Sequence, residues 1–155
     1  MAKEMTLDNF VNFLQNKAEN LKPNLEKTIK LCCQKVQSDI KYSMDHTPRD
    51  TSKSYYSNNK STPHHPSLPD NPPAVDTGAL KGSINYEVET DGREVVGVVG
   101  STLSAPEPYD VWMEYGTSDG RIAPRPWLRP AMHKNNEFIR KQIALAVKNT
   151  LTGGN

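Results

Sequence analysis

Residues 109–131 constrain this chain more than any other stretch. They read Tyr-Asp-Val-Trp-Met-Glu-Tyr-Gly-Thr, a short polar loop, and then Arg-Pro-Trp-Leu-Arg-Pro-Ala. Both tryptophans, Trp112 and Trp127, lie here, although aromatics make up only 7% of the chain. Tyr109, Trp112, Met113 and Tyr115 can bury a large apolar area within few residues. Gly116 and Pro126 restrict the backbone on either side of the loop. Gly116 is expected at a positive φ or a tight approach, in a turn at 114–116 that serves the fold. Glu114 sits among apolar neighbours, so its carboxylate needs a partner if it is buried. Arg125 and Arg129 are the nearest candidates. Helical spacing would align Tyr109, Trp112 and Met113, while strand spacing would align Tyr109, Val111, Met113 and Tyr115; both remain open.

The rest of the chain reads as elements for this stretch to pack on. Thr6 can cap a helix with apolar positions at Leu7, Phe10, Val11, Leu14, Ala18 and Leu21. A second stripe follows at Leu25, Ile29, Cys32, Cys33, Val36, Ile40 and Met44. Pro23 between them predicts a kink or a split into two helices. Both stripes are expected to be core. Residues 45–75 then change character, with many prolines and polar residues and Leu68 nearly the only aliphatic one. Such a segment cannot offset its ordering entropy by burial, so residues 46–71 are expected to form a long mobile loop. His64 and His65 read as solvated loop residues, and Tyr55 and Tyr56 as contact residues if the loop docks.

Asp76 or Thr77 can cap one helical turn over Ala79 and Leu80, with Gly82 able to end it. Ile84, Tyr86 and Val88 alternate with Asn85, Glu87 and Glu89, as in a half-buried strand. Asp91-Gly92 is a hairpin turn signal. The return strand spans 95–99, with Val96 and Val98 on one face and Gly97 as a site for close packing or a bulge. Pro130 suits the start of a last helix, striped by Met132, Phe138, Ile139, Ile143, Ala146 and Val147. These elements predict one α+β domain over residues 1–155. A small antiparallel sheet packs against a long N-terminal helix, kinked or split near Pro23, and a C-terminal helix.

Function classes narrow by what the residues can do. The net charge is +1, but its distribution is uneven. Residues 76–117 hold eight acidic against two basic side chains, a net of −6. Residues 118–155 hold seven basic against two acidic, a net of +5. Acidic Glu87, Glu89 and Glu94 could meet Arg121, Arg125 and Arg129 within one chain or between copies. Those arginines and Lys134, beside Trp127, could alternatively hold nucleic acid. In the plainer reading Trp127 is core and the arginines pair with Glu114 and Asp110. Adjacent Cys32 and Cys33 cannot bridge easily in a helix and read as reduced core thiols. No metal-ligand spacing, phosphate loop or nucleophile elbow is present, so no cofactor and no enzymatic activity are expected. Asp76-Thr77-Gly78 is the tripeptide of aspartic proteases, but a proline loop replaces the apolar strand that should precede it. Neither a signal peptide nor a membrane-spanning run is read, and the mean hydropathy is −0.72.

Four blocks in order carry a resemblance. They are Pro-Pro-Ala-Val-Asp-Thr-Gly-Ala-Leu-Lys-Gly-Ser-Ile at 72–84, a hairpin ending in Val99-Gly100, the 109–117 segment, and Arg-Pro-Trp-Leu-Arg-Pro-Ala at 125–131. Together they resemble the small neck, or tail-completion, proteins of bacteriophages with long non-contractile tails. Asp110, Trp127 and the length of the 46–71 loop depart from the family pattern. The residues that carry the likeness are Asp76, Thr77, Gly78, Leu80, Tyr109, Trp112, Glu114, Gly116, Thr117, Arg125, Pro126, Trp127 and Pro130. The resemblance implies a virion structural protein of the head–tail junction, made in the host cytoplasm and assembling as a ring around the DNA channel. Its implied partners are further copies of itself, other connector and tail proteins, and passing DNA, with no membrane.

Overall fold

A computed structural model describes residues 6–56, 63–91, 94–103 and 108–153. Helix α1 spans Leu7–Asp45, and the Thr6 hydroxyl accepts the Asn9 N–H at its start. It runs through Pro23 as one helix, so the split into two is excluded. Proline inside a helix loses a hydrogen bond and costs about 3 kcal/mol. Burial of the α1 residues after Pro23 offsets that cost. Helix α4, Leu128–Thr152, lies antiparallel to α1, because Asn24 bonds Thr150 and Asp39 bonds Asn135.

Between the two long helices come α2 (Ala79–Ser83), β1 (Ile84–Thr90), β2 (Val95–Ser101) and α3 (Tyr109–Tyr115). The strands form an antiparallel pair with unbroken register from Ile84↔Ser101 to Thr90↔Val95. The turn signal at Gly92 lies outside the described residues. Gly97 has no bulge around it and is a point of close approach. A Cβ there would sit 2.5 Å from Cys33 Sγ and 2.6 Å from Ile29 Cγ2, so the hairpin rests almost directly on α1. Val36, Ile40, Met44, Leu80, Ile84, Met113, Trp127 and Ala131 make the core. Each large side chain buried there contributes roughly 1.5–3 kcal/mol. The α+β architecture expected from sequence is the one observed.

Four local expectations need correction. The first stripe of α1 is not core: Leu7, Phe10, Val11, Leu14 and Ala18 are exposed, and burial in α1 is confined to Cys32, Cys33, Val36, Ile40 and Met44. In α4 the expected stripe holds at Phe138, Ile139, Ile143, Ala146 and Val147, which are half-buried, but Met132 is exposed and Asn135 is buried in addition. Asn135 is satisfied by donating to Asp39 Oδ2 and the Ala131 carbonyl, both at 2.9 Å. Gly82 does not end α2, which feeds straight into β1 through the extended backbone of Ile84.

The fourth correction concerns His64, within residues 46–71. The segment lacks apolar anchors, and its described parts make polar contacts. Antiparallel bridges join Arg49 to Ser67 and Tyr55 to His64. Thr47, His64 and Ser67 are buried, and the Thr47 hydroxyl donates to the Pro72 carbonyl at 2.8 Å. Arg49 reaches the carbonyls of His65 and Val75. His64 is therefore not a solvated residue; its ring lies 3.7 Å from Asp76 and tilts against Tyr55.

Candidate functional site

The 109–131 stretch folds around one carboxylate. Residues 109–115 form a helix, which settles the choice between helix and strand. Met113 and Glu114 are its buried positions, Trp112 is half-buried, and Tyr109 and Tyr115 lie towards solvent. Gly116 ends α3 at φ +78°, where its N–H donates to the Trp112 carbonyl. A Cβ at Gly116 would meet the Ile122 carbonyl oxygen at 2.9 Å. The positive φ and close approach expected there are thus both present. Beyond it the Thr117 hydroxyl donates to Asp119 and accepts the Ile122 N–H, closing a tight polar loop.

The chain then returns so that Arg125 N–H donates to the Met113 carbonyl at 2.6 Å. Pro126, half-buried, leads Trp127 into the core. Here α4 starts with no cap from its own flanking residue. Glu114 supplies the cap from 13 residues upstream. Its carboxylate accepts the backbone N–H groups of Trp127 (2.7 Å), Leu128 (2.9 Å) and Arg129 (3.1 Å), and the Arg129 Nε at 2.8 Å. These donors are the unsatisfied N–H groups of a helix start, where the dipole favours an anion. Burial, with only 3% of the residue exposed, pushes the Glu114 pKa up. The backbone donors and Arg129 outweigh that and hold it below the usual glutamate value. Pro130 stands in the first turn of α4, where its missing N–H costs nothing.

Of the two candidate partners for Glu114, only Arg129 is used. Arg125 instead donates to the carbonyls of Ser67 and Ala123. Arg129 also lies over the Tyr115 ring, 4.5 Å from its centroid. Trp127 is core, and its indole N–H donates to the Asp110 carbonyl. Asp110 contributes backbone here, and no arginine pairs with its side chain among the described residues. Arg121 pairs with Asp119 and has a side chain that is 87% exposed.

No family model, curated protein or solved structure matches this chain.

The first motif block lies on the other side of the core. Thr77 Oγ1 accepts the Ala79 N–H, Gly78 takes φ +86°, and Leu80 points into the core. The N-cap of the short helix is Gly78, with no side-chain cap bond; Thr77 lies one residue before it, and Asp76 faces His64. Tyr55 and Tyr109 share a cleft of about 450 Å³ with Asp76 and Lys81. Partial burial raises the pKa of both tyrosines. Among the described residues no group of three His, Cys, Asp or Glu side chains could hold a metal, and no helix is long and apolar enough to cross a membrane.

The charged groups separate cleanly. Glu87 and Glu89 project from the outer face of the hairpin, cross-strand from the exposed Val98 and Val96. Neither they nor Glu94 pair with Arg121, Arg125 or Arg129 within the described chain. Sequence reasoning missed Arg49, Asn135 and Asp39. The Lys35–Asp39 spacing of four was a visible signal for the last. A buried asparagine on an otherwise ordinary helix carries no such signal.

Proposed function

We propose that this chain is a structural protein of the head–tail junction of a tailed bacteriophage, with an assembly role and no catalytic one. Four sequence blocks resembling the neck and tail-completion family support this reading. They meet in one body, with Glu114 of the third block clamping the backbone of the fourth.

The observation that carries the assembly role is the unneutralised acidic face of the hairpin. Glu87 and Glu89 stand exposed beside two exposed valines, with no internal ion pair among the described residues. A ring needs one patch to meet a different patch on the next copy. The hairpin face supplies one, and the loop carrying Arg121 supplies the other. Arg125 donates to backbone carbonyls and Arg129 pairs with Glu114 within the subunit, while Arg121, beside Asp119, is the most exposed of the three. Charges at such a rim steer association and weaken with salt.

The test is electron microscopy and mass measurement of the purified chain and of charge-swapped pairs. Arg121→Glu should abolish rings, and mixing it with a Glu87→Arg, Glu89→Arg chain should partly restore them. Rings indifferent to both changes would defeat this interface. A salt-dependent shift of duplex DNA that is lost in Arg121→Glu, with no ring at any concentration, would replace the whole reading by nucleic-acid binding.

A further inference from the structure

The first turns of α1 are an apolar surface that the subunit leaves bare. Leu7 is 76% exposed, Phe10 47%, Val11 43% and Leu14 49%. They share the face on which α1, further along, packs against α4. The spacing of three, one and three places all four on one side of a helix. That face loses its cover because α4 ends at Thr152, with Gly153 beside Lys17. The residues before Lys17 therefore project past the end of α4, by roughly 1.5 Å each.

We infer that this projecting face binds the same face of a second copy, with the two α1 helices antiparallel about a twofold axis between positions 10 and 11. Two observations select this occupant. The spacing is palindromic, so antiparallel packing sets Leu7 opposite Leu14 and Phe10 opposite Val11, and every apolar side chain meets another. The direction is the one that α4 already takes against α1. The second copy's helix thus continues the groove where α4 stops, and it extends an interface the fold already uses.

The contact is short compared with the roughly 1,200–2,000 Å² of a standard stable interface, so the dimer is reversible and concentration-dependent. It goes beyond the ring reading. It joins two copies through identical patches, whereas the ring uses two different ones.

Sedimentation velocity of the full chain between about 1 µM and 1 mM reads the association directly. The Arg121→Glu background removes the proposed ring contact. On that background the chain should shift from monomer to dimer as concentration rises, with little dependence on salt. Adding Phe10→Asp and Leu14→Asp should hold it monomeric throughout, with the thermal midpoint unchanged because both positions are exposed. Single cysteines give the register. Phe10→Cys chains mixed with Val11→Cys chains should cross-link faster than either alone, the native Cys32 and Cys33 being buried. A monomer over the whole range would overturn the inference. So would association indifferent to aspartates at 10 and 14, or cross-linking in which like pairs outrun the mixed pair.

Discussion

Two regions of this chain reverse what their residue types suggest. Glu114, a charged residue, is nearly sealed from solvent at the junction of α3 and α4. Leu7, Phe10, Val11 and Leu14, spaced as a core stripe, stand in water at the start of α1. In both places the surroundings decide. The carboxylate is buried because three uncapped N–H groups and Arg129 converge on it. The stripe is exposed because the helix that covers the rest of α1 ends beside Lys17. Periodicity reports which side of a helix is apolar; it does not report how far the covering element extends.

The largest effect should come from breaking the junction. Glu114→Ala removes four hydrogen bonds at once and leaves three helix-start donors with nothing to meet them. Each buried donor left unmet costs about 1–3 kcal/mol, which for the three together gives roughly 3–5 kcal/mol once water reaches some of them. Equilibrium denaturation by urea should show a loss in that range, and a loss below 1 kcal/mol would mean that water replaces the carboxylate. Glu114→Gln keeps the shape and should cost less. It should also remove a pH dependence. The folded-state pKa of Glu114 lies below its ordinary value, so its charge stabilises fully at neutral pH. That contribution falls as pH drops below the ordinary glutamate value and is gone below the folded pKa. Stability of the natural chain should therefore fall more steeply with acid than that of Glu114→Gln, and parallel curves would show that Glu114 has no linkage to folding.

Backbone positions come next. Gly116→Val should cost about 2–3 kcal/mol, because it combines a positive φ with a contact near 2.9 Å to the Ile122 carbonyl. A clear fall in thermal midpoint is the readout. An unchanged midpoint with failed assembly of the proposed ring would make the turn a contact surface instead. Gly97→Ala should cost about 1–2 kcal/mol, since its methyl group would press on Cys33 and Ile29 and lift the hairpin from α1.

These two glycines also mark how far the fold could be read from residues alone. Both were visible as constrained positions, and so were the hairpin, the two long helices and the need of Glu114 for a partner. Local spacing and backbone chemistry act over a few residues, so they are written locally. The rest depends on what a distant segment brings. Arg125 and Arg129 were equal candidates for Glu114 until the 125–131 backbone placed one at the carboxylate and the other at the Ser67 carbonyl. The described parts of residues 46–71 lack apolar anchors, and their contacts come from Arg49 and Thr47 meeting distant carbonyls and from the Arg49–Ser67 bridge, which no pattern announces. Asn135 could be recognised as buried only once Asp39 was seen across the helix pair.

The smallest effect should come from the exposed stripe, where the contrast with the junction is sharpest. Leu7→Ser and Leu14→Ser replace large apolar groups that already lie largely in water, so little burial is lost on mutation. Serine is only slightly poorer than leucine in a helix. Each change in dilute solution should alter unfolding stability by no more than about 0.5 kcal/mol. Ile40→Ala, on the same helix but fully buried, should cost about 2–5 kcal/mol. Measured at a concentration where the chain is monomeric, the pair of results separates two explanations of the stripe. A near-zero effect at 7 and 14 leaves these leucines to intermolecular contact. A cost approaching that at Ile40 would mean that the start of α1 folds back onto its own subunit in solution, with the palindromic face serving the monomer.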